Sequence, residues 1–121
     1  MNLDESLKGF GDSLVNFLYS LAKSKATGTW LGAKVSNYVL SEALIKSDLD
    51  QPGGLDKHEK GDYVEEYIAK SWIEGILTTE DAVSILTKSL KTYDSEEEER
   101  EATVEAFRTL LNYIHQKTAV Q

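Results

Sequence analysis

The spacing of apolar residues predicts helices along the whole chain. Large apolar residues recur every three or four positions over residues 3–21, which is the spacing of one face of an α-helix. No stretch alternates apolar and polar residues for long enough to require a β-strand. The predicted buried face of this first helix consists of Leu3, Leu7, Phe10, Leu14, Phe17 and Leu21.

Glycine, proline and capping residues divide the rest of the chain. Gly28 suits the C-cap of the first helix and Thr29 the N-cap of a second, predicted over about residues 30–45. Residues 47–57 hold the only proline and a Gly-Gly pair, which predicts a loop. Further helices are predicted over residues 60–77, from Thr79 to near residue 93, and after a cap at Asp94 or Ser95.

These elements predict an all-α fold, a single compact domain of about five to six helices over residues 1–121. The length of 121 residues suits one domain with one core. The inward positions predicted for the second helix are Leu31, Val35, Tyr38, Val39 and Ala43. Those predicted for the last helix are Val104, Phe107, Leu111 and Ile114.

Composition narrows the class of protein. The chain has no cysteine, which excludes disulfides, thiolate metal sites and a cysteine nucleophile. No segment is long and apolar enough to span a bilayer, and Asp4 and Glu5 stand where a secretory signal would be basic. We therefore expect a cytoplasmic protein with no membrane segment.

The charge of the chain is negative and uneven. The net charge is −8, and residues 92–121 carry −4 of it, because two Arg and one Lys face seven Asp and Glu there. Nucleic-acid binding through phosphate contacts requires clustered Lys and Arg, which this balance disfavours. A nucleic-acid site must therefore depend on local geometry or on cations held by the acids.

Two helices carry acids in positions that suggest chemistry. Glu65 continues the apolar face of the third helix back from Ile68 and Trp72, although an ionised carboxylate is costly to bury. Asp62 lies one turn earlier, and such an acid pair is a candidate for binding a hard divalent cation. A first-turn position near the helix dipole would also favour the pair. Asp12 projects away from the apolar face of the first helix and by itself is an ordinary surface acid.

Three ordered segments resemble the ribonuclease III family. ESLKGFGDSLVNF (residues 5–17) resembles the family motif E-x-L-E-F-L-G-D-x-V-L. GDYVEEYIAKSWIEGIL (residues 61–77) resembles the block A-D-x-x-E-A-L-I-G-A-I-Y-L. Between them, WLGAKVSNYVLSEALIKSDL (residues 30–49) is similar to L-V-S-N-x-x-L-A-x-x-A-x-x-L-G-L. The resemblance implies an endoribonuclease that hydrolyses double-stranded or structured RNA, leaving a 5′-phosphate and a 3′-hydroxyl.

The resemblance also implies roles for individual residues. Asp12 matches the family's Gly-Asp aspartate, while Asp62 and Glu65 match its later acid pair, so all three are expected to be catalytic. The same three residues are expected to bind Mg²⁺, with Mn²⁺ as a possible substitute, and Glu5 matches the first glutamate of the motif and joins this metal set. Gly11 is expected to let the third helix approach Asp12, which would justify a glycine that costs about 0.5–1 kcal/mol in a helix interior.

Lys8 departs from the family pattern. It stands where most ribonucleases III have a second glutamate that binds metal, so the number of metals and the strength of catalysis stay open. The stand-alone Mini-III type also lacks the early glutamates and has no double-stranded RNA-binding domain. The chain resembles that type most.

The expected partners are a second copy of the chain and RNA. The resemblance implies a homodimer with a valley that accepts an A-form duplex, which proteins read by shape and backbone contacts. The expected phosphate contacts are Lys34, Lys57, Lys60 and Lys70, with Lys25 as a further candidate. Trp30 and Trp72 are expected in the core or the dimer contact, and His58 and His115 at the surface.

Two other interpretations stay open. In the first, the Lys8 ammonium group occupies the metal position and pairs with Asp12 or Glu65. The chain would then be a catalytically weak or inactive helical dimer that binds RNA or a protein. In the second, the chain is an unrelated helical adaptor with no affinity for divalent metals or for double-stranded RNA.

Overall fold

The computed structural model describes residues 3–119, with side chains from residue 7 onward. The helices in this part of the chain are α1 (Leu3–Thr27), α2 (Asn37–Lys46), α3 (Lys57–Ile73), α4 (Thr79–Thr87) and α5 (Glu96–Ala119). The prediction of an all-α, single compact domain is confirmed, with five helices over the described residues. None of these helices combines the length and the apolar character that crossing a lipid bilayer would require.

The helices pack around one core. α1 contacts α3 and α4, α2 contacts α3 and α5, and α4 contacts α5. The predicted inward residues of α5 are confirmed, since Val104, Phe107, Leu111 and Ile114 are all buried. The largest fully buried side chains are Phe107, Leu18, Leu40, Leu44, Ile68, Leu77, Leu86, Leu110, Leu111, Ile114, Val15 and Val64.

The buried face of α1 is rotated from the predicted one. Phe10 and Phe17 are exposed, so their prediction as core residues was wrong, while Leu7 and Leu14 are buried as predicted and Leu21 is half-buried. The buried residues that the apolar pattern missed are Val15, Leu18, Tyr19, Ala22 and Ser24. Gly11 is buried against α3, as predicted. Large apolar residues alone were therefore a poor guide to the buried face. The side chain of Leu3 lies outside the described residues.

The second helix begins later than predicted because hydrogen bonds to side chains of α1 hold residues 31–35 in a non-helical conformation. The Ala33 N–H donates to Ser20 Oγ (2.8 Å), and Ser20 Oγ donates to the Ala33 carbonyl (2.9 Å). One helical turn away on each side, Ser24 bonds the backbone of Leu31 and Asn16 Oδ1 accepts from the N–H of Val35 (2.9 Å). Polar side chains of α1 thus satisfy a backbone that was predicted to be helical.

Ser36, and not Thr29, is the N-cap of α2. Its side chain accepts a hydrogen bond from the Val39 N–H, and the helix begins at Asn37. Val35, Val39 and Ala43 are buried as predicted, but Tyr38 is exposed and its predicted inward orientation was wrong. Gly28 ends α1 as predicted, with φ of 76° and its N–H donating to the Ser24 carbonyl.

The bounds of the later helices follow their caps. α3 begins at Lys57, three residues before the prediction, because Asp56 and Glu59 form a reciprocal capping box. It ends at Ile73, where the chain turns through Gly75 with φ of 79°. α4 is capped by Thr78 and ends at Thr87, well before residue 93. Ser95 Oγ accepts a hydrogen bond from the N–H of Glu98 at the start of α5. Ser95 was one of the two residues predicted to cap this helix.

Candidate active site

Glu65 lies on the buried face of α3. Only 3% of its surface is exposed, and its neighbours Val64, Ile68 and Ala69 are completely buried. Its Oε2 atom is buried and makes no hydrogen bond to any described group. Because buried carboxylates are costly unless they are paired, protonated or bound to a cation, Glu65 must be in one of these three states. The prediction that Glu65 faces the core is confirmed.

Asp12 of α1 lies beside the Glu65 carboxyl group. Burial, followed by a hydrogen bond to Asp12 and its negative charge, raises the pKa of Glu65 to about 8. Without a cation, Glu65 therefore keeps its proton near neutral pH. Asp12 itself is exposed, as its projection away from the apolar face of α1 predicted. The arrangement pairs one buried carboxyl group with one that is open to solvent.

Asp62 completes a trio of acids but has its own partners. Its side chain is 16% exposed, and its Oδ2 atom lies 3.1 Å from Lys8 Nζ. Its Oδ1 atom accepts a hydrogen bond from Asn37 Nδ2 at 3.1 Å. Burial by itself would raise the pKa of Asp62, but the hydrogen bonds from Lys8 and Asn37 lower it below its ordinary value. Asp62 is therefore ionised and paired, in contrast to Glu65.

Asn37 reaches Asp62 because Gly61 has no side chain. A Cβ atom added to Gly61 would lie 2.6 Å from Asn37 Cβ, closer than real Cβ atoms come. Asn37 Nδ2 also donates to the His58 carbonyl at 2.9 Å, so one amide ties the start of α2 to the first turns of α3. No signal in the sequence indicated the bond from Asn37 to Asp62, because the two residues are 25 positions apart in the chain.

The comparison with known families agrees with this geometry. A family model described as Ribonuclease III matches residues 5–120. The chain belongs to the ribonuclease III family. The match includes all the helices that carry Asp12, Asp62 and Glu65. No curated protein matches the chain.

The acids of this ribonuclease III domain fit a cation at one place. Among the described side chains, no three His, Cys, Asp or Glu residues are grouped as a set of metal ligands. The Asp62 oxygens bind Lys8 and Asn37, and Asp12 Oδ1 accepts a hydrogen bond from Asn16 Nδ2 at 3.2 Å. Asp12 and Glu65 offer oxygen donors, one of them buried without a partner, and Mg²⁺ in proteins is often held by only one or two carboxylates. The side chain of Glu5 lies outside the described residues, so its predicted role stays a prediction.

The predicted lysines of the ribonuclease III domain lie in separate surroundings. Lys34 lines an open groove together with Ser13 and Asn16 of α1, directly after Asp12. Lys70 lines another groove and lies 4.0 Å from Glu74. Lys57 Nζ lies 4.5 Å from the centre of the Tyr38 ring, and Lys60 is half-buried. Of these lysines, Lys34 shares a groove with neighbours of Asp12.

Aromatic residues of the domain are exposed beside the acids. Phe10, two residues before Asp12, packs against Trp72 with ring centres 5.7 Å apart, and both rings are exposed. Phe17 is 53% exposed on α1. Trp30 is 84% exposed, so the prediction that it could lie in the core was wrong. His58 is exposed as expected, and its Nε2 lies 3.6 Å from Asp62 Oδ2.

Proposed function

We propose that this ribonuclease III family member is a divalent-metal-dependent endoribonuclease that hydrolyses phosphodiester bonds in double-stranded or structured RNA. The observation that supports it most directly is the Glu65 carboxyl group, buried and unsatisfied at Oε2, beside the exposed carboxylate of Asp12. Buried polar atoms without partners are rare in folded proteins, and a divalent cation satisfies this one. Family membership supplies the class of reaction.

The two carboxylates have different tasks in this proposal. Asp12 and Glu65 hold Mg²⁺ or Mn²⁺, and Glu65 releases its proton to do so. When bound, the cation supplies positive charge that activates water and offsets negative charge on the phosphate oxygens. The exposure of Asp12 leaves the solvent side of the pair open to RNA. Asp62, fixed by Lys8 and Asn37, keeps a third negative charge next to Glu65.

The RNA backbone is proposed to lie along the groove that follows Asp12 on α1. The groove has a volume of about 610 Å³ and offers the Ser13 hydroxyl group, the Asn16 amide and the Lys34 ammonium group. Hydroxyl, amide and ammonium groups are the usual donors to phosphate oxygens. With a net charge of −8 on the whole chain, this local donor set and the bound cation must supply the attraction.

A second copy of the chain is the proposed protein partner. The exposed rings of Phe10 and Trp72 pack together on α1 and α3, the helices that carry the acids. Aromatic side chains are enriched in protein interfaces because they bury a large apolar area. A homodimer formed through this surface would place two pairs of Asp12 and Glu65 on one particle. An A-form duplex has two strands to cut, so it requires one such pair for each strand.

Cleavage of long double-stranded RNA tests the proposal. Wild-type protein with Mg²⁺ or Mn²⁺ is expected to cut it, and Asp12→Asn and Glu65→Gln are expected to reduce the rate at least about 100-fold, the upper end of what losing a group around a metal costs. Asp50→Asn makes the same chemical change at an exposed loop position and is expected to keep the wild-type rate. Equal cleavage by all four proteins would point to a contaminating nuclease and overturn the proposal.

The ion pair between Lys8 and Asp62 favours a second candidate function. A lysine in place of a further acid reduces the negative charge that can bind cations. A non-catalytic dimer that binds RNA or a protein would tolerate this loss, because it needs no metal. That candidate predicts RNA binding without cleavage, and no change in the melting temperature when Mn²⁺ is added. The active enzyme predicts that Mn²⁺ raises the melting temperature of the wild type but not of Asp12→Asn.

A further inference from the structure

Both oxygens of Asp62 are engaged by groups of the protein itself. Oδ1 accepts from the amide of Asn37 at 3.1 Å, and Oδ2 lies 3.1 Å from Lys8 Nζ and 3.6 Å from His58 Nε2. The side chain is 16% exposed, so little of it is left for solvent or for a further ligand. An acid in this state needs no metal to neutralise it.

Lys8 delivers its charge from the helix that also carries Asp12. It lies one turn before Asp12 on α1, and its side chain is 61% exposed while its tip reaches Asp62 on α3. The hydrogen bond and the negative charge of Asp62 raise the pKa of Lys8, so its ammonium group stays charged over the physiological range. The pair thus places a fixed positive charge at one side of the acid trio.

Neither Asp12 nor Glu65 forms an ion pair with a described cationic side chain. Glu65 Oε2 is buried and unpartnered among the described groups, and Gly11, the residue before Asp12, lies against the Glu65 backbone. Neighbouring carboxylates repel each other unless a proton or a cation lies with them, whereas the Lys8–Asp62 pair is already balanced. The trio is therefore divided into an acid that is already neutralised and a pair that still lacks a positive partner.

We propose that the Lys8 ammonium group takes the place of a second divalent cation at Asp62, so that each chain binds one divalent cation, held by Asp12 and Glu65. This inference rests on the proposed metal-dependent function and assigns the number of metals within it. Asp62 then acts as a positioning residue that Lys8 holds, and not as a direct metal ligand.

The charges of the site agree with a single cation. Asp12, Asp62 and Glu65 carry three negative charges when all are ionised, which Lys8 and one divalent cation match with three positive charges. A second divalent cation would leave two positive charges in excess at a partly buried site. A glutamate at position 8 would instead give four negative charges, which two divalent cations would match.

Counting bound Mn²⁺ tests the inference without measuring activity. Electron paramagnetic resonance of RNA-free protein, titrated with Mn²⁺, is expected to give one ion per chain for the wild type and two for Lys8→Glu. Lys25→Glu makes the same charge change about 26 Å further along α1, at 1.5 Å per residue, and is expected to keep a count of one. A wild-type count of two overturns the inference while leaving the metal-dependent function standing. A wild-type count of zero overturns the metal-dependent function as well.

A second set of variants separates the two acid pairs. Asp12→Asn is expected to lower the affinity for Mn²⁺ at least about tenfold, whereas the double variant Lys8→Met/Asp62→Asn, which removes both charges of the ion pair, is expected to change it less than about threefold. Circular dichroism of each variant checks that it is folded. Equal losses in the two variants would show that Asp62 binds the cation directly, and would overturn the inference. A count of one for folded Lys8→Glu would do the same.

Discussion

Gly11 of α1 lies directly against the backbone of Glu65 on α3. A Cβ atom added to Gly11 would lie 2.7 Å from the Glu65 carbonyl oxygen and 2.9 Å from its carbonyl carbon. Only a residue without a side chain permits this approach. The next residue is Asp12, so the same contact brings the Asp12 carboxylate beside that of Glu65.

Gly11→Ala is expected to destabilise the fold. Alanine gains up to about 1 kcal/mol of helix propensity over glycine, but forcing an extra carbon against a neighbouring backbone costs about 1–3 kcal/mol. A backbone carbonyl cannot move aside as a flexible side chain can, so the clash outweighs the gain. The free energy of unfolding, measured by urea denaturation, should therefore fall.

Gly9→Ala is the matched control for that substitution. Gly9 lies two residues earlier on the same helix, and none of the described atoms lies within 4 Å of a Cβ atom added there. The propensity gain is then unopposed, and the free energy of unfolding is expected to rise by up to about 1 kcal/mol. If Gly11→Ala proved as stable as Gly9→Ala, the close approach of α1 and α3 would be refuted.

The pKa of Glu65, about 8 in the folded protein against an ordinary value of 4.5, predicts how stability depends on pH. Between these values the folded chain holds a proton that the unfolded chain releases. The free energy of unfolding should therefore be highest near pH 4.5 and fall as the pH rises to about 8, by at most about 1.4 kcal/mol per pH unit. Above pH 8 this contribution no longer changes.

Glu65→Gln should remove this part of the pH dependence, because glutamine does not titrate. Urea denaturation of both proteins between pH 5 and pH 9, in EDTA, gives the difference due to Glu65, since Asp12, Asp62 and Lys8 are common to both. Adding Mn²⁺ should flatten the wild-type curve, because a cation replaces the proton. Parallel curves for the two proteins in EDTA would show that Glu65 is not protonated in the folded state.

Asn37→Asp should destabilise the contact between α2 and α3. The substitution removes the donor to Asp62 Oδ1 and sets a second carboxylate against the first, so a loss of about 1–3 kcal/mol is expected at pH 7. Asn112→Asp is the control, because Asn112 uses its Oδ1 to accept from the Asp48 N–H at 2.7 Å, and aspartate keeps that acceptor. Its effect should stay within about 0.5 kcal/mol. Similar urea denaturation midpoints for the two variants would contradict the assigned role of Asn37.

Phe10→Ser should weaken the proposed homodimer. Burial of a phenylalanine side chain contributes about 1.5–3 kcal/mol, so the dimer dissociation constant should rise at least about tenfold. Trp30→Ser, at a more exposed ring after the end of α1, should leave the constant unchanged. Sedimentation velocity measures both variants. A wild-type protein that sediments as a monomer would overturn the dimer, and dissociation by Trp30→Ser alone would assign the contact to another surface.

Much of the fold could be predicted from local signals. The apolar periodicity of α5 and the cap at Gly28 are local features, and the structure confirms both. The start of α2 could not be predicted in this way, because Asn16, Ser20 and Ser24 of α1 satisfy the backbone of residues 31–35. Such a competition between helix and loop is decided by side chains far away in the sequence.

The candidate site was predictable to a similar extent. The sequence indicated Asp12, Asp62 and Glu65 through their order and the resemblance, and the core-facing position of Glu65 follows from helical spacing alone. The predicted partner of Lys8 was wrong. One interpretation expected Lys8 to pair with Asp12 or Glu65, but its ammonium group forms an ion pair with Asp62. Helical spacing defines which face a residue lies on, but not which side chain of another helix it meets.

By itself, the sequence determined an all-helical chain of the ribonuclease III family, with a carboxylate on the buried face of α3 and a glycine, Gly11, where α3 approaches α1. Helix periodicity, caps and motif order are properties of neighbouring residues, so they can be read from the chain. Only the tertiary structure decided that Gly11 meets the Glu65 backbone, that Asn37 and Lys8 occupy Asp62, and that Glu65 Oε2 has no partner. Those facts depend on how α1, α2 and α3 pack, and packing brings together residues that are distant in the sequence.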